Sequence, residues 1–275
     1  MIRLGAPAAV WHRGIERKSA RELALMRQAG RVTAVALAEM RAHVRPGITT
    51  RQLDAIAEKV IARHDALAAF KGYPGPYPYP NATTISVNEE LVHGLPGPRV
   101  LREGDVVSLD CGVLYGGFYA DSAISVGVGR CSPLGERLLA VTEQALYVGI
   151  ELMRPGKRTG DVSAAMQQFV EGHGFRLARE YTSHGIGRHM HEDPEVRNYV
   201  SPGTGTALRP GMTIALEPMV LVGTSETRTL ADQWTAVSAD GSLTAHFEHT
   251  VAVTEGEPEI LTQLAAERSA EPVRV

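Results

Sequence analysis

Two cysteines, Cys111 and Cys131, are all that 275 residues contain. They cannot staple a chain of this size or complete a thiolate zinc site, so they suit a reducing compartment and read as buried small hydrophobes. An excess of charge is missing as well. Lys plus Arg is 28 against 31 for Asp plus Glu, a formal charge of -3, which gives no electrostatic reason to expect specific nucleic acid or an anionic membrane as the main partner. Long apolar runs are absent. The start offers only a short stretch around Ala6 to Trp11 before Arg13, Glu16, Arg17 and Lys18, too brief for a signal-peptide core or a membrane span. Residues 1–18 are therefore expected to form an N-terminal extension of a cytoplasmic protein. No Gly-x-Ser-x-Gly elbow occurs, so a serine hydrolase has no support.

What remains is ordinary globular material, 44% hydrophobic and 21% charged, which excludes disordered, collagen-like and coiled-coil readings. Ser19-Ala20-Arg21-Glu22 is a capping-box pattern followed at helical spacing by Leu23, Met26, Ala29, Val32 and Ala36, predicting a helix to about Ala42. Arg45-Pro46-Gly47 breaks it, and Thr50 is expected to cap a second helix bearing Leu53, Ile56, Val60 and Ile61.

The same arrangement then recurs. Arg45-Pro46-Gly47 reappears as Arg154-Pro155-Gly156, and Thr50, Leu53, Ala55 and His64 as Thr159, Val162, Ala164 and His173. Leu101-Arg102-Glu103-Gly104 precedes an apolar strand ending in Asp110, as Leu208-Arg209-Pro210-Gly211 precedes one ending in Glu217. Asp121 with Ile124 and Val126 likewise resembles Glu248 with Val251 and Val253. An ordered series in register predicts two copies of a helix–helix–strand–strand unit, with a longer connection in the second. Acidic residues then occupy corresponding places in strands where apolar or small side chains are expected.

Between Val106 and Ser125 the chain reads as a hairpin turning at Gly116-Gly117. A two-residue turn pairs Tyr115 with Phe118 and Gly112 with Asp121, which places Asp110 and Asp121 on one face as diagonal neighbours. Joined by Glu217 and Glu248 across a pseudo-twofold, four carboxylates would converge where repulsion forbids full ionisation without cations. His184, in Tyr181-Thr182-Ser183-His184-Gly185-Ile186-Gly187, is the best-placed imidazole to complete the set. Such donors suit a pair of Mn, Fe, Co or Zn ions.

These residues resemble the methionine aminopeptidases of type I. The likeness spans about Ser19 to Leu261 and rests on Ile85-Ser86-Val87-Asn88-Glu89 with His93-Gly94-Leu95-Pro96, on Asp110 and Asp121, on His184-Gly185-Ile186-Gly187-Arg188, on His191-Glu192-Asp193-Pro194, on Glu217-Pro218-Met219 and on Phe247-Glu248-His249-Thr250. It implies an α+β pita-bread fold, two pseudo-twofold halves with an antiparallel sheet covered by helices. It also implies a single catalytic domain over 19–265, with halves of about 19–130 and 131–265 and a tail at 266–275. Two divalent ions are implied, with Asp110 on one, Asp121 and Glu248 bridging, and His184 and Glu217 on the second. His93 and His191 would contact substrate, and Glu217 would shuttle a proton. Tyr79, Thr84, Met190 and Trp234 would line the methionine pocket.

Three positions depart from the family's usual pattern. Thr84 stands for a cysteine, Met190 for an aromatic residue and His246 for a glutamine. The Pro- and Tyr-rich stretch from Gly72 to Pro80 reads equally as a surface loop or as pocket lining. The short interval from His184 to Glu217 and the absence of a cysteine/histidine zinc module indicate type I in its short form. The implied activity is removal of the initiator methionine from nascent polypeptides when the second residue is small, by a monomer that has the ribosome as a further partner. Two rivals stand beside it: another pita-bread metallopeptidase, such as an Xaa-Pro aminopeptidase, and a catalytically inactive pita-bread binding protein.

Overall fold

Helix starts in this chain are set by side chains that satisfy otherwise orphaned backbone donors. In the computed structural model, which describes residues 11–200 and 205–264, α1 (Ala20–His43) follows the expected Ser19/Glu22 capping box. The Glu22 carboxylate accepts from Ser19 N at 2.8 Å. α2 (Thr50–Arg63) is capped by Thr49 rather than by Thr50, because Thr49 completes a second capping box with Gln52. Thr50 is the first helical residue, and its hydroxyl instead bonds the Gly97 backbone, accepting from N at 2.8 Å and donating to O at 3.1 Å. Its pseudo-equivalent Thr159, at the start of α4 (Thr159–Gly172), accepts from Thr206 N at 3.0 Å. The repeated threonine therefore ties a helix start to a later loop. α3 (Pro133–Glu151) completes the second helix pair behind a Ser132 cap.

The main sheet runs Trp11–His12, His191–Arg197, Thr182–Gly185, Thr213–Leu216, Glu248–Ala252, Phe118–Gly127, Val106–Tyr115 and Leu67–Ala68. Thr84–Val87 also pairs with Val106–Tyr115. The two halves join where Glu248 and His249 lie opposite Ala123 and Ser122. Pairing is antiparallel throughout the described sheet except at its edge, where Trp11 and His12 run parallel to His191 and Glu192. The segment ahead of Ser19 thus adds a strand; residues 1–10 and the expected tail at 266–275 lie outside the described residues.

Strand alternation separates the sheet's two faces. Val107, Leu109, Cys111 and Val113 pack with Leu37 and Met40 of α1 and Leu53 and Ile61 of α2. Ile214, Leu216 and Val251 pack with Leu146 and Ile150 of α3 and Val162 and Met166 of α4. Both cysteines are buried and free, and Cys111 faces the helices although it follows Asp110. The longer second connection carries Met219–Leu221, Thr227–Thr229, Ala236–Ser238 and Thr244–His246 into two small three-stranded sheets. No described helix is long and apolar enough to cross a membrane.

α1 crosses the end of the core at Gly30, where an added Cβ would stand 2.2 Å from Leu261 O. Alanine normally favours a helix over glycine by about 1 kcal/mol, but this backbone contact reverses the sign. Gly30→Ala should lower stability by about 1–3 kcal/mol, read as a lower denaturant midpoint at unchanged slope. A midpoint at or above the parent's contradicts the packing.

Candidate metal centre

The hairpin register is the expected one. Tyr115 faces Phe118, Gly112 faces Asp121, and Gly116 and Gly117 take φ of 57° and 82° in the turn. Asp110 is opposite Ala123, and so from the other side is Glu248, so the two acids flank that alanine and share a face with Asp121. In the second half Ala215 lies opposite both His184 and Thr250, which puts Glu217, just past the strand end, diagonal to His184. The order across the sheet is therefore Asp110, Asp121, Glu248, Glu217, His184, one donor from each of five neighbouring strands or strand ends. Small residues at Ala123 and Ala215 leave the space between them open.

Within this row Asp121, His184 and Glu248 form the tightest group, each offering a donor atom within 4.8 Å of the others. His184 Nε2 stands 3.5 Å from Glu217 Oε1. Its Nδ1–H donates to Gly185 O at 2.9 Å, which turns the Nε2 lone pair towards the carboxylates. Glu217 is held by its backbone, its N–H donating to Ser183 Oγ at 2.9 Å and its carbonyl accepting from Asn198 Nδ2 at 3.1 Å. Burial raises all four carboxyl groups above their ordinary range, and repulsion among them adds to the rise at Asp121 and Glu248. Among the described residues Asp110 Oδ1 and Glu248 Oε1 are buried with no hydrogen-bond partner. Buried carboxyl oxygens without a partner, beside an imidazole, are the donor set that divalent transition metals take, so the residues fit the group.

The row floors a cavity of about 340 Å³. Thr84, Tyr79, Met190 and Trp234 line it as expected, with His93 and His191. Thr84 has a second role: directly opposite Asp110, its hydroxyl donates to Asp110 Oδ2 at 3.1 Å. Tyr79 is locked by its hydroxyl bond to Gly94 O at 2.8 Å and meets the Trp234 ring edge-on at 5.1 Å. Asp232 fixes Trp234 by accepting from the backbone N–H of Trp234 and Thr235, both at 2.9 Å. His246 points its unpartnered Nε2 at the acids, 3.6 Å from Glu217 and 3.9 Å from Glu248.

His93 sits at φ 60°, a conformation uncommon outside glycine. Burial, aided by His246, lowers its pKa to about 4. Burial, with His184 and His93, also holds His191 well below the ordinary histidine value. Both imidazoles are thus neutral at pH 7. His191 Nδ1 lies 2.6 Å from the Tyr73 hydroxyl, whose pKa burial raises. The tyrosine stays protonated and donates, leaving the His191 proton on Nε2.

Tyr73, Phe70, Tyr181, Trp11 and Arg13 also line the cavity, and the sequence does not mark any of them individually as a site residue. Tyr73 belongs to the Gly72–Pro80 stretch, which the structure makes pocket lining: an added Cβ at Gly75 would lie 2.3 Å from the Trp234 ring. Trp11 had no local signal, being one aromatic in an apparent extension.

Residues 24–255 match the profile of metallopeptidase family M24. Methionine aminopeptidase 1 of Bacillus subtilis is 47% identical over 247 residues, 90% of this chain and 98% of that protein. The methionine aminopeptidase of Escherichia coli is 41% identical over 247 residues, 89% of this chain and 92% of its own length. The crystal structure of methionine aminopeptidase from Thermotoga maritima superposes with a TM-score of 0.89 at 45% identity, covering 91% of this chain and 100% of that one. Prolidase from Pyrococcus furiosus reaches 0.71 at 20% identity over 90% of this chain and 65% of its own, a likeness of fold alone. The architecture is the α+β pita-bread fold, and with that extent of identity the chain belongs to metallopeptidase family M24 and, within it, to the methionine aminopeptidases.

Proposed function

We propose that this chain removes the initiator methionine from nascent polypeptides whose second residue is small, using two divalent ions, Mn, Fe, Co or Zn, held by Asp110, Asp121, His184, Glu217 and Glu248. The observation that carries this reading is the order of donors across the sheet, with Asp121 and Glu248 in the middle, Asp110 on one side and Glu217 with His184 on the other. Asp121 and Glu248 at the centre of the row would be within reach of both ions, and Asp110 on one side and Glu217 with His184 on the other would each help hold one. Bound there, the ions would lower the pKa of a water to give hydroxide at neutral pH and would take the substrate's free α-amine as a ligand, which makes the enzyme an exopeptidase.

The chain's own groups do the rest. The His191 Nε2–H donates a hydrogen bond to the scissile carbonyl oxygen as charge develops there, and Tyr73 holds the ring in that tautomer. His93 contacts the scissile amide nitrogen. Glu217 receives the proton lost by the water and returns it to the leaving amine. Tyr79, Thr84, Met190 and Trp234 enclose the methionine side chain. The same reading takes the chain as one catalytic domain that runs to about residue 265 and begins with the Trp11–His12 strand rather than at Ser19, in a cytoplasmic monomer that meets its substrates at the ribosome.

The purified protein should release methionine from Met-Ala-x peptides and far less from Met-Leu-x. Dialysis against chelator should abolish release, and Mn, Fe or Co should restore it. Full release by verified metal-free protein overturns the reading.

The two neighbouring histidines should fail differently. His184→Ala removes the neutral donor and should lower metal stoichiometry. His191→Ala should keep its metal while kcat falls roughly 10²–10³-fold with little change in KM. Metal analysis and steady-state kinetics decide; loss of metal in His191→Ala with normal turnover in His184→Ala would reverse the two roles.

A further inference from the structure

Trp11 reaches the site from a segment that the chemistry of the metal donors does not require. Its ring stacks on His191 at 5.6 Å and 26°, and meets His184 edge-on at 6.1 Å. The segment that carries it is clamped. Trp11 and His12 pair with His191 and Glu192 in the sheet. The Asp193 carboxylate accepts from the Trp11 indole N–H at 3.0 Å, from Gly14 N at 2.9 Å and from Arg13 at 3.3 Å. Further along, Lys18 makes a buried ion pair with Glu192 at 2.5 Å, and its backbone N–H donates to Gly211 O at 2.7 Å. Three separate ties therefore fix Trp11 as a rigid surface.

Its place in the sheet says what that surface faces. Thr84, on the proposed methionine side, lies on the strand flanking Asp110, whereas Trp11 lies at the opposite edge beyond His191 and His184. The donor row occupies the space between. A peptide whose first side chain points towards Thr84 and Tyr79, and whose scissile bond lies over the donors, must continue past His191 and so past Trp11.

We infer that Trp11 is a specificity-determining residue: its indole forms the wall of the subsite for the residue after the scissile bond and rejects branched side chains there. This rests on the aminopeptidase reading above. Asp193 is the positioning residue, since it holds the indole by its N–H and the following backbone by Gly14. The peptides that should feel the wall are those with a β-branched second residue, whose bulk lies beside the backbone.

The test compares kcat/KM for Met-Ala-x and Met-Val-x peptides in the parent, Trp11→Ala and Trp11→Phe. Trp11→Ala should raise the Val/Ala ratio about tenfold or more, and Trp11→Phe, which keeps a smaller wall, should fall between. A merely structural role would depress both substrates together and leave the ratio in place. A ratio within twofold of the parent's in both variants overturns the inference while the aminopeptidase reading stands. No methionine release by the parent overturns that reading, and this inference with it.

Discussion

Four carboxyl groups on one sheet face, three of them buried and Glu217 nearly so, repel each other and have lost most of their water, and the rest of the molecule serves to hold them there. Two helix pairs cover the opposite face and anchor the strands through Leu109 and Cys111 in one half and Ile214, Leu216 and Val251 in the other. Removing that layer would let the strands part and the acids return to solvent. The core thus stabilises an arrangement that is unfavourable until a cation arrives. Ala123 and Ala215, and Gly112 opposite Asp121, keep the face shallow enough to admit one. A Cβ at Gly112 would lie about 3 Å from Phe70 and Met190, so its absence also gives the pocket its room.

Above this floor the walls are loops, which need different fastenings. The loop bearing Tyr73 and Tyr79 returns to the sheet through Thr83, whose N–H and hydroxyl both bond the buried Asp54 carboxylate of α2, at 2.9 and 2.8 Å. Hydrogen bonds to a charged group are worth about 1.5–3 kcal/mol each, and they add to the burial of Tyr79 and Ala82 in setting the loop. Asp232 plays the same part for Trp234, and Asp193 for Trp11. Asp54, Asp232 and Asp193, satisfied by backbone and side-chain donors, thus shape the pocket walls, while Asp110 and Glu248 keep buried oxygens without a partner on its floor.

Much of the floor was legible in the sequence because its determinants are local. A two-residue glycine turn fixes hairpin register, and register fixes which side chains share a face, so Asp110 and Asp121 follow from counting outward from Gly116-Gly117. The internal repeat then carries the argument to Glu217 and Glu248 without any contact being known. Thr50 shows the limit of such matching. Its recurrence as Thr159 was real, but the shared feature is a bond to a loop nearly fifty residues away, so Thr49 rather than Thr50 caps the helix.

The sequence by itself determined the helix pairs, the hairpin register and the duplicated order that brings Asp110, Asp121, Glu217 and Glu248 to one face, all of which depend on turn chemistry, periodicity and repeats within one stretch of chain. Only the tertiary structure decided that Tyr73 sets the His191 tautomer, that Thr84 serves Asp110 as well as lining the pocket, and that Trp11 stacks on His191 from 180 positions away in the chain, the same span that its neighbour Arg13 crosses to Asp193. Those contacts join segments whose separation leaves no local pattern, and they exist because a sheet edge and two clamped loops happen to meet above the same row of acids.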